Sequence, residues 1–278
     1  MVVPREHGRL TAATAADAAI GISGLEVVYT RPDGTAVNAV DTFELAVAPG
    51  EFLTLIGPSG CGKTSVLRAI GGLLRPTAGE VVVGSTPVTG PLPGRVAYVF
   101  QDFALFPWRT ALANVEIALE LKGARRAQRR RRALEALDTV GLRDVGDRYP
   151  AELSGGMKQR VALARALVAE VDVLLLDEPF GALDEQTRLV LGAELLALLE
   201  RTGKTIVFVT HSLREAVYLS DRVIAMTARP GRIKRVLEIP LPRPRAPEMM
   251  ASDEFEHLEA ELFRLLFEES TLAVHRGE

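Results

Sequence analysis

Gly57-Pro58-Ser59-Gly60-Cys61-Gly62-Lys63-Thr64-Ser65 contains a glycine, four variable positions, then Gly-Lys-Thr, directly after the apolar run Phe52 to Ile56. Glycines at this spacing let a backbone wrap until its N–H groups face phosphate oxygens, and a following helix adds its positive end. Lys63 then reaches the β- and γ-phosphates, and the Thr64 hydroxyl becomes a ligand for Mg²⁺. A second constellation is Val173-Leu174-Leu175-Leu176-Asp177-Glu178-Pro179, an apolar strand ending in two carboxylates. At the carboxyl end of a parallel sheet Asp177 can hold Mg²⁺ through water opposite Lys63. Glu178, nearer the γ-phosphate, can orient or deprotonate an attacking water. The chemistry these residues suit is hydrolysis of a nucleoside triphosphate.

The third constellation is Leu153-Ser154-Gly155-Gly156-Met157-Lys158-Gln159-Arg160, ahead of a helical Ala/Leu run from Val161 to Ala169. Ser154 can cap that helix, and Gly155 and Gly156 expose backbone N–H groups able to receive a phosphate. One cradle is already present at Lys63, so a second implies another nucleotide. With these three motifs the chain resembles the ATP-binding cassette superfamily over about residues 21 to 235. The resemblance implies a P-loop α/β fold: a mainly parallel sheet core with an antiparallel β subdomain and an inserted α-helical subdomain over about residues 103 to 165. It also implies a head-to-tail homodimer in which Ser154, Gly155 and Gly156 of one subunit close over ATP held by residues Gly57 to Ser65 of the other.

Smaller motifs match the superfamily one residue at a time. Tyr29 stands where an aromatic stacks on adenine. Gln101 matches the glutamine that reaches Mg²⁺ and the attacking water. Gly181-Ala182-Leu183-Asp184 matches a dimer-contact loop, and His211, 33 positions after Glu178, matches the switch histidine that touches the γ-phosphate. Met157 departs from the commonest glutamine of the signature. Together with Phe106-Pro107-Trp108-Arg109-Thr110, Asn114, Phe180 to Arg188 and Arg229-Pro230-Gly231-Arg232-Ile233, it makes the chain similar to the ATPases of nitrate, sulfonate and taurine importers.

Elements must deliver these residues. Short β-type runs at Leu25–Tyr29, Phe43–Val47, Phe52–Ile56, Glu80–Val83 and Arg95–Phe100 are interrupted by one helix, Lys63 to about Leu74. Buried-type strands at Val173–Leu176, Thr205–Val209 and Val223–Met226 alternate with helices at Asp184–Glu200 and Leu213–Leu219, which predicts parallel crossovers. Residues 1–20 read as a loose tail. Residues 236–278 form an extension: an extended spacer at Ile239 to Pro244, then a helix capped by Ser252 with apolar residues at Phe255, Leu258, Leu262, Leu265 and Leu266. That helix is expected to pack on its own subunit, or to add a dimer contact.

The 278 residues are 47% hydrophobic and 25% charged, with 33 Lys+Arg against 36 Asp+Glu, which excludes a disordered or fibrous chain and any global bias toward nucleic acid. Cys61 is the single cysteine, so neither an intramolecular disulfide nor a cysteine metal cluster can form, and a reducing compartment is expected. Its place in the phosphate loop suggests a small residue that fits, exposed enough for a thiol reagent to block ATP binding. No apolar run is long enough for a bilayer, and no signal peptide is recognised.

Any membrane role is therefore borrowed. The resemblance implies an integral membrane permease docked beside Gln101, with an extracytoplasmic solute-binding protein in the complex and a peripheral location on the cytoplasmic face of the inner membrane. Phe103, Leu105, Phe106, Pro107 and Trp108 are the apolar stretch for that contact, or else pack the insert internally. Seven bases from Lys122 to Arg132 suit a solvated helix face, or attraction to anionic lipid or permease acids. The rival is a cassette ATPase acting on nucleic acid or the ribosome. Only 91 positions separate Lys63 from Ser154, with no long coiled coil between, and the chain has one cassette.

Overall fold

The computed structural model describes residues 18–276. The expected tail therefore lies outside the described residues as far as position 17, and Ile20 already belongs to the first strand. Ten strands, β1 (Ile20–Thr30), β2 (Ala36–Val47), β3 (Phe52–Ile56), β4 (Ala78–Val83), β5 (Thr86–Pro87), β6 (Val96–Val99), β7 (Val173–Asp177), β8 (Thr205–Val209), β9 (Arg222–Met226) and β10 (Ile233–Glu238), form two sheets among these residues. The antiparallel one has order β2-β1-β4-β5, and the other β10-β9-β3-β8-β7-β6. In the second sheet β6, β7, β8, β3 and β9 run parallel, and only β10 is antiparallel.

Every residue of β3, β7 and β8 is buried, the pattern of strands covered on both faces. Alternation sorts their side chains. Phe52, Ile56, Leu174, Leu176, Ile206 and Phe208 join one core, while Leu53, Leu55, Val173, Leu175, Val207 and Val209 join the other. The first core reaches into the helical layer. The second lies against the antiparallel sheet and helix α1 (Lys63–Ile70). Helix α1 is shorter than expected, because Gly71 and the left-handed Gly72 turn the chain before Leu74.

The insert contains α2 (Ala111–Glu120), α3 (Arg126–Thr139) and the first turns of α4 (Gly155–Leu167). Thr110 caps α2 by accepting from the Ala113 N–H at 3.3 Å. Asn114, fully buried, binds the preceding loop through the Phe106 N–H and the carbonyls of Phe106, Arg109 and Thr110. Helices α5 (Glu185–Thr202) and α6 (Leu213–Leu219) follow β7 and β8 as crossovers.

Residues 239–244 do not form a spacer through solvent. Ile239 and Leu241 are buried, and the buried Arg245 donates to the carbonyls of Val217 and Tyr218 on α6. A run rich in proline cannot extend a sheet, yet its apolar residues still bury against a helix. Beyond it α7 (Asp253–Arg276) seats Phe255, Leu258 and Leu262 in the core, with Leu265 and Leu266 against it. The Ser252 Oγ accepts from the Phe255 N–H at 3.3 Å, as a cap should. Glu269 fastens the far end by accepting from the Ala228 N–H at 2.8 Å and pairing with Lys234 at 2.9 Å.

Candidate functional site

Strand β3 ends at Ile56, and residues 57–62 wrap over the start of α1. Gly62 sits at φ +97°, and a Cβ there would fall 2.6 Å from Val40 Cγ2 and 2.8 Å from the Ala39 carbonyl oxygen. Only glycine fits that position, for conformational and steric reasons together. Lys63, 8% exposed, curls back over the loop and donates to the carbonyls of Gly57 at 2.8 Å and Pro58 at 2.9 Å. Its ammonium is thereby held where the loop closes.

Parallel pairing sets the two carboxylates beside this loop. Asp177 ends β7 opposite Val209 of β8, and β8 lies next to β3. The Thr64 hydroxyl donates to Asp177 Oδ1 at 3.1 Å, and the Tyr98 hydroxyl donates to Oδ2 at 3.0 Å. Burial pushes the Asp177 carboxyl above its usual range, opposed by these two hydrogen bonds. Tyr98 is itself pushed upward by burial and by facing this carboxylate, so it stays a donor.

Glu178 follows with φ +48°, a left-handed conformation uncommon outside glycine. Its Oε2 receives the Gln101 side-chain amide at 3.4 Å and lies 3.6 Å from His211 Nδ1. Tyr29, 40% exposed, places its hydroxyl 2.9 Å from the Ser65 Oγ in the first turn of α1. Of the residues expected from the sequence, Tyr29, Ser65, Thr64, Asp177, Glu178, Gln101 and His211 are therefore linked around the loop that contains Gly57, Pro58, Ser59, Gly60, Cys61, Gly62 and Lys63.

Cys61 corrects an expectation. It is 1% exposed, its sulfur packs in the core beneath the loop, and burial raises its thiol pKa. A buried neutral thiol is inert, so the residue is a packing group rather than an accessible reporter.

Ser154, Gly155 and Gly156 lie apart from that cluster. The Ser154 Oγ accepts from the Met157 N–H at 3.2 Å and caps α4. A Cβ on Gly156 would fall 3.2 Å from Leu183 Cδ2 and 3.3 Å from the Ala182 carbonyl oxygen, so this end of α4 packs on the loop after Glu178. Among the described residues no hydrogen bond joins Ser154–Gly156 to residues 57–65.

For three site neighbours the sequence suggests no role of their own, although Gln159 lies in the motif that begins at Ser154 and Arg188 ends the run that begins at Phe180. Tyr98 meets Asp177 only because β6 pairs with β7 in register. Gln159 is buried and bonds to the backbone of Glu178 and Ala182. Arg188 donates to the carbonyls of Leu183 at 2.9 Å and Gly181 at 3.3 Å, and reaches Glu215 at 3.4 Å, which in turn accepts from Thr210 beside His211.

Residues 40–181 match the family described as ABC transporter. The ABC transporter ATP-binding protein MJ0412 of Methanocaldococcus jannaschii is 52% identical over 213 residues, covering 77% of this chain and 79% of that protein. The taurine import ATP-binding protein TauB of Roseobacter denitrificans is 42% identical over 221 residues, covering 80% and 82%. The nitrate import ATP-binding protein NrtC of Synechococcus elongatus is 43% identical over 251 residues, which is 89% of this chain but 38% of that longer protein. Among solved structures, the dimeric ATP-binding cassette MJ0796 in a post-hydrolysis state with ADP and Pi superposes with a TM-score of 0.74 at 34% identity, covering 79% of this chain and 98% of that one.

Proposed function

Since the chain belongs to the ABC transporter family, we propose that it is the ATP-hydrolysing subunit of an importer. It dimerises around two ATP molecules and drives uptake of a small anionic solute, of the nitrate, sulfonate or taurine kind, through a separate permease. The observation that supports this most is the clustering of Glu178, Gln101 and His211 beside the Lys63–Thr64–Asp177 cradle, at the carboxyl end of a parallel sheet. General acid–base and phosphate-binding groups then meet at one place.

The residues act in named roles. On nucleotide binding Lys63 exchanges the Gly57 and Pro58 carbonyls for phosphate oxygens, while the loop N–H groups and the N-terminus of α1 take the remaining charge. Tyr29 stacks on the base. Glu178 orients and deprotonates the attacking water, Gln101 positions it, and His211 holds the γ-phosphate. Thr64 and Asp177 present hard oxygen donors from adjacent elements, a set that fits Mg²⁺, which keeps most of its ligands as water and phosphate. Gln101 completes that set. When bound, the ion neutralises charge developing on the β- and γ-phosphate oxygens. Ser154, Gly155 and Gly156 offer a second phosphate cradle away from the first, which suits a nucleotide held by the partner subunit.

The cassette spans residues 21–235, with its helical insert over about 103–165 and an extension over 236–278. No described helix is long and apolar enough to cross a membrane. A permease supplies the path, and the cassette docks on it from the cytoplasmic face of the inner membrane, with an extracytoplasmic solute-binding protein delivering solute. Trp108, 72% exposed and tilted against Phe106 at 5.6 Å between ring centroids, presents an apolar face for that contact beside Gln101.

The test is Glu178→Gln. It should abolish phosphate release, retain ATP binding and yield a stable ATP-bound dimer by size-exclusion chromatography; normal turnover would remove Glu178 from its role. Co-purification with a multispan membrane protein and anion-stimulated ATPase activity support import. Salt-sensitive nucleic-acid binding in its place would support the rival class.

A further inference from the structure

We infer that Gln159 is a positioning residue for hydrolysis: its carboxamide sets the backbone of Glu178 and couples that carboxylate to the helix beginning at Ser154, an inference that rests on the role proposed for Glu178. Gln159 is 3% exposed, one turn into α4. Its Nε2 donates to the Glu178 carbonyl oxygen at 2.9 Å, and its Oε1 accepts from the Ala182 N–H at 2.8 Å. Both ends of one planar amide are thus used on a single short loop, and neither can rotate without losing its partner.

What the amide holds is an unusual piece of backbone. Glu178 is left-handed at φ +48°, a state that a residue with a side chain keeps only when its surroundings impose it. The N–H of Glu178 donates to the Val209 carbonyl at the end of β8, two residues before His211. Its carbonyl accepts from Gly181 at 3.1 Å and from Gln159. The sheet therefore fixes one side of the residue, and the tight turn with Gln159 fixes the other. A left-handed φ aims the side chain away from the course of the strand, which is how Glu178 turns toward Gln101 and His211 while Asp177 stays with Thr64 and Tyr98.

The same loop touches the glycines of α4. Ala182 and Leu183 pack tightly on Gly156: a Cβ there would lie 3.2 Å from Leu183 Cδ2 and 3.3 Å from the Ala182 carbonyl oxygen, so a larger residue would have to push this loop aside. A shift of α4 upon phosphate capture at Ser154–Gly156 is thus carried to Ala182 by packing and to Glu178 by the Gln159 amide. A rigid contact of this kind matters because a displacement of about 1 Å in a general base is worth on the order of a hundredfold in rate.

Gln159→Leu and Gln159→Met remove both hydrogen bonds while keeping most of the volume. Turnover is to be expressed per nucleotide site, titrated with a fluorescent ATP analogue, so that loss of folded protein cannot pass as slow chemistry. The expected result is a kcat per site lowered about 10- to 100-fold, with the ATP KM within about twofold of wild type. Per-site turnover within about twofold of wild type in either variant, whatever the loss of active sites, overturns the inference and leaves Gln159 a folding residue. Glu178→Gln is assayed alongside: its normal turnover refutes the role of Glu178 itself, whereas its inactivity together with wild-type turnover in the two Gln159 variants refutes only the coupling.

Discussion

Tyr98→Phe deletes one oxygen and leaves the ring, which packs against Phe100 at 4.4 Å between centroids. The lost group donates a 3.0 Å hydrogen bond to Asp177, a carboxylate only 2% exposed. A hydrogen bond to a charged acceptor contributes about 1.5 to 3 kcal/mol. Unfolding entropy of about 2.1 cal/mol/K per residue, over 278 residues, makes that a fall in Tm of roughly 3 to 5 °C. The pH dependence is more discriminating. Burial holds the folded-state pKa of Asp177 above its unfolded value, so its ionisation works against folding above the folded pKa, and that cost disappears below the unfolded one. Tyr98 offsets part of the cost by favouring the ionised form, and its removal raises the folded pKa further. The gap between variant and wild type should accordingly be widest near neutrality and shrink as pH falls through the range where Asp177 protonates. Calorimetric melts stepped down from about pH 8 past the ordinary aspartate value of 3.8 measure it. Equal Tm values near neutrality, or a gap that does not narrow with acid, would refute the assignment of Tyr98 as the partner of an ionised Asp177.

Lys63→Ala should lose ATP affinity by at least about tenfold, checked by equilibrium binding of a fluorescent ATP analogue, and should also lower the melt modestly, because the ammonium donates to the Gly57 and Pro58 carbonyls and to the buried Cys61 sulfur. Ser154→Ala removes the acceptor for the Met157 N–H and should cost about 1 kcal/mol in denaturant unfolding, with ATP binding by the isolated subunit preserved and dimer-dependent hydrolysis reduced. Cys61 should label with a thiol reagent on the order of a hundredfold more slowly in the folded protein than in denaturant, and stoichiometric labelling within minutes under native conditions would contradict its burial. Phe255→Ala, at a fully buried anchor of α7, should lower stability by about 3 to 5 kcal/mol in urea unfolding.

Local patterns in the chain announce whatever depends on neighbours in sequence. The spacing of Gly57 to Ser65 names a phosphate loop because one turn of backbone and one helix start do that work. The apolar runs 52–56 and 205–209 mark buried strands because every residue in them is covered. The Ser252 and Ser154 caps, likewise, are satisfied by N–H groups three positions on. Charge and hydropathy patterns do not report which residues of a loop will be buried. Cys61 therefore read as reachable from its position in a glycine-rich turn, and the proline-rich run after Glu238 read as a spacer although it packs on α6.

Tertiary structure alone decided who meets whom. The order of strands brings β6 beside β7 and β7 beside β8, and only this order sets the Tyr98 hydroxyl on Asp177 and His211 near Glu178. Gln159 stands in the motif that begins at Ser154, yet that motif does not say what its carboxamide holds until α4 packs on the loop that follows β7. Hydrogen bonds between positions 19 to 113 apart follow from the register and packing of whole elements, whereas a motif records only the residue types its own few positions require.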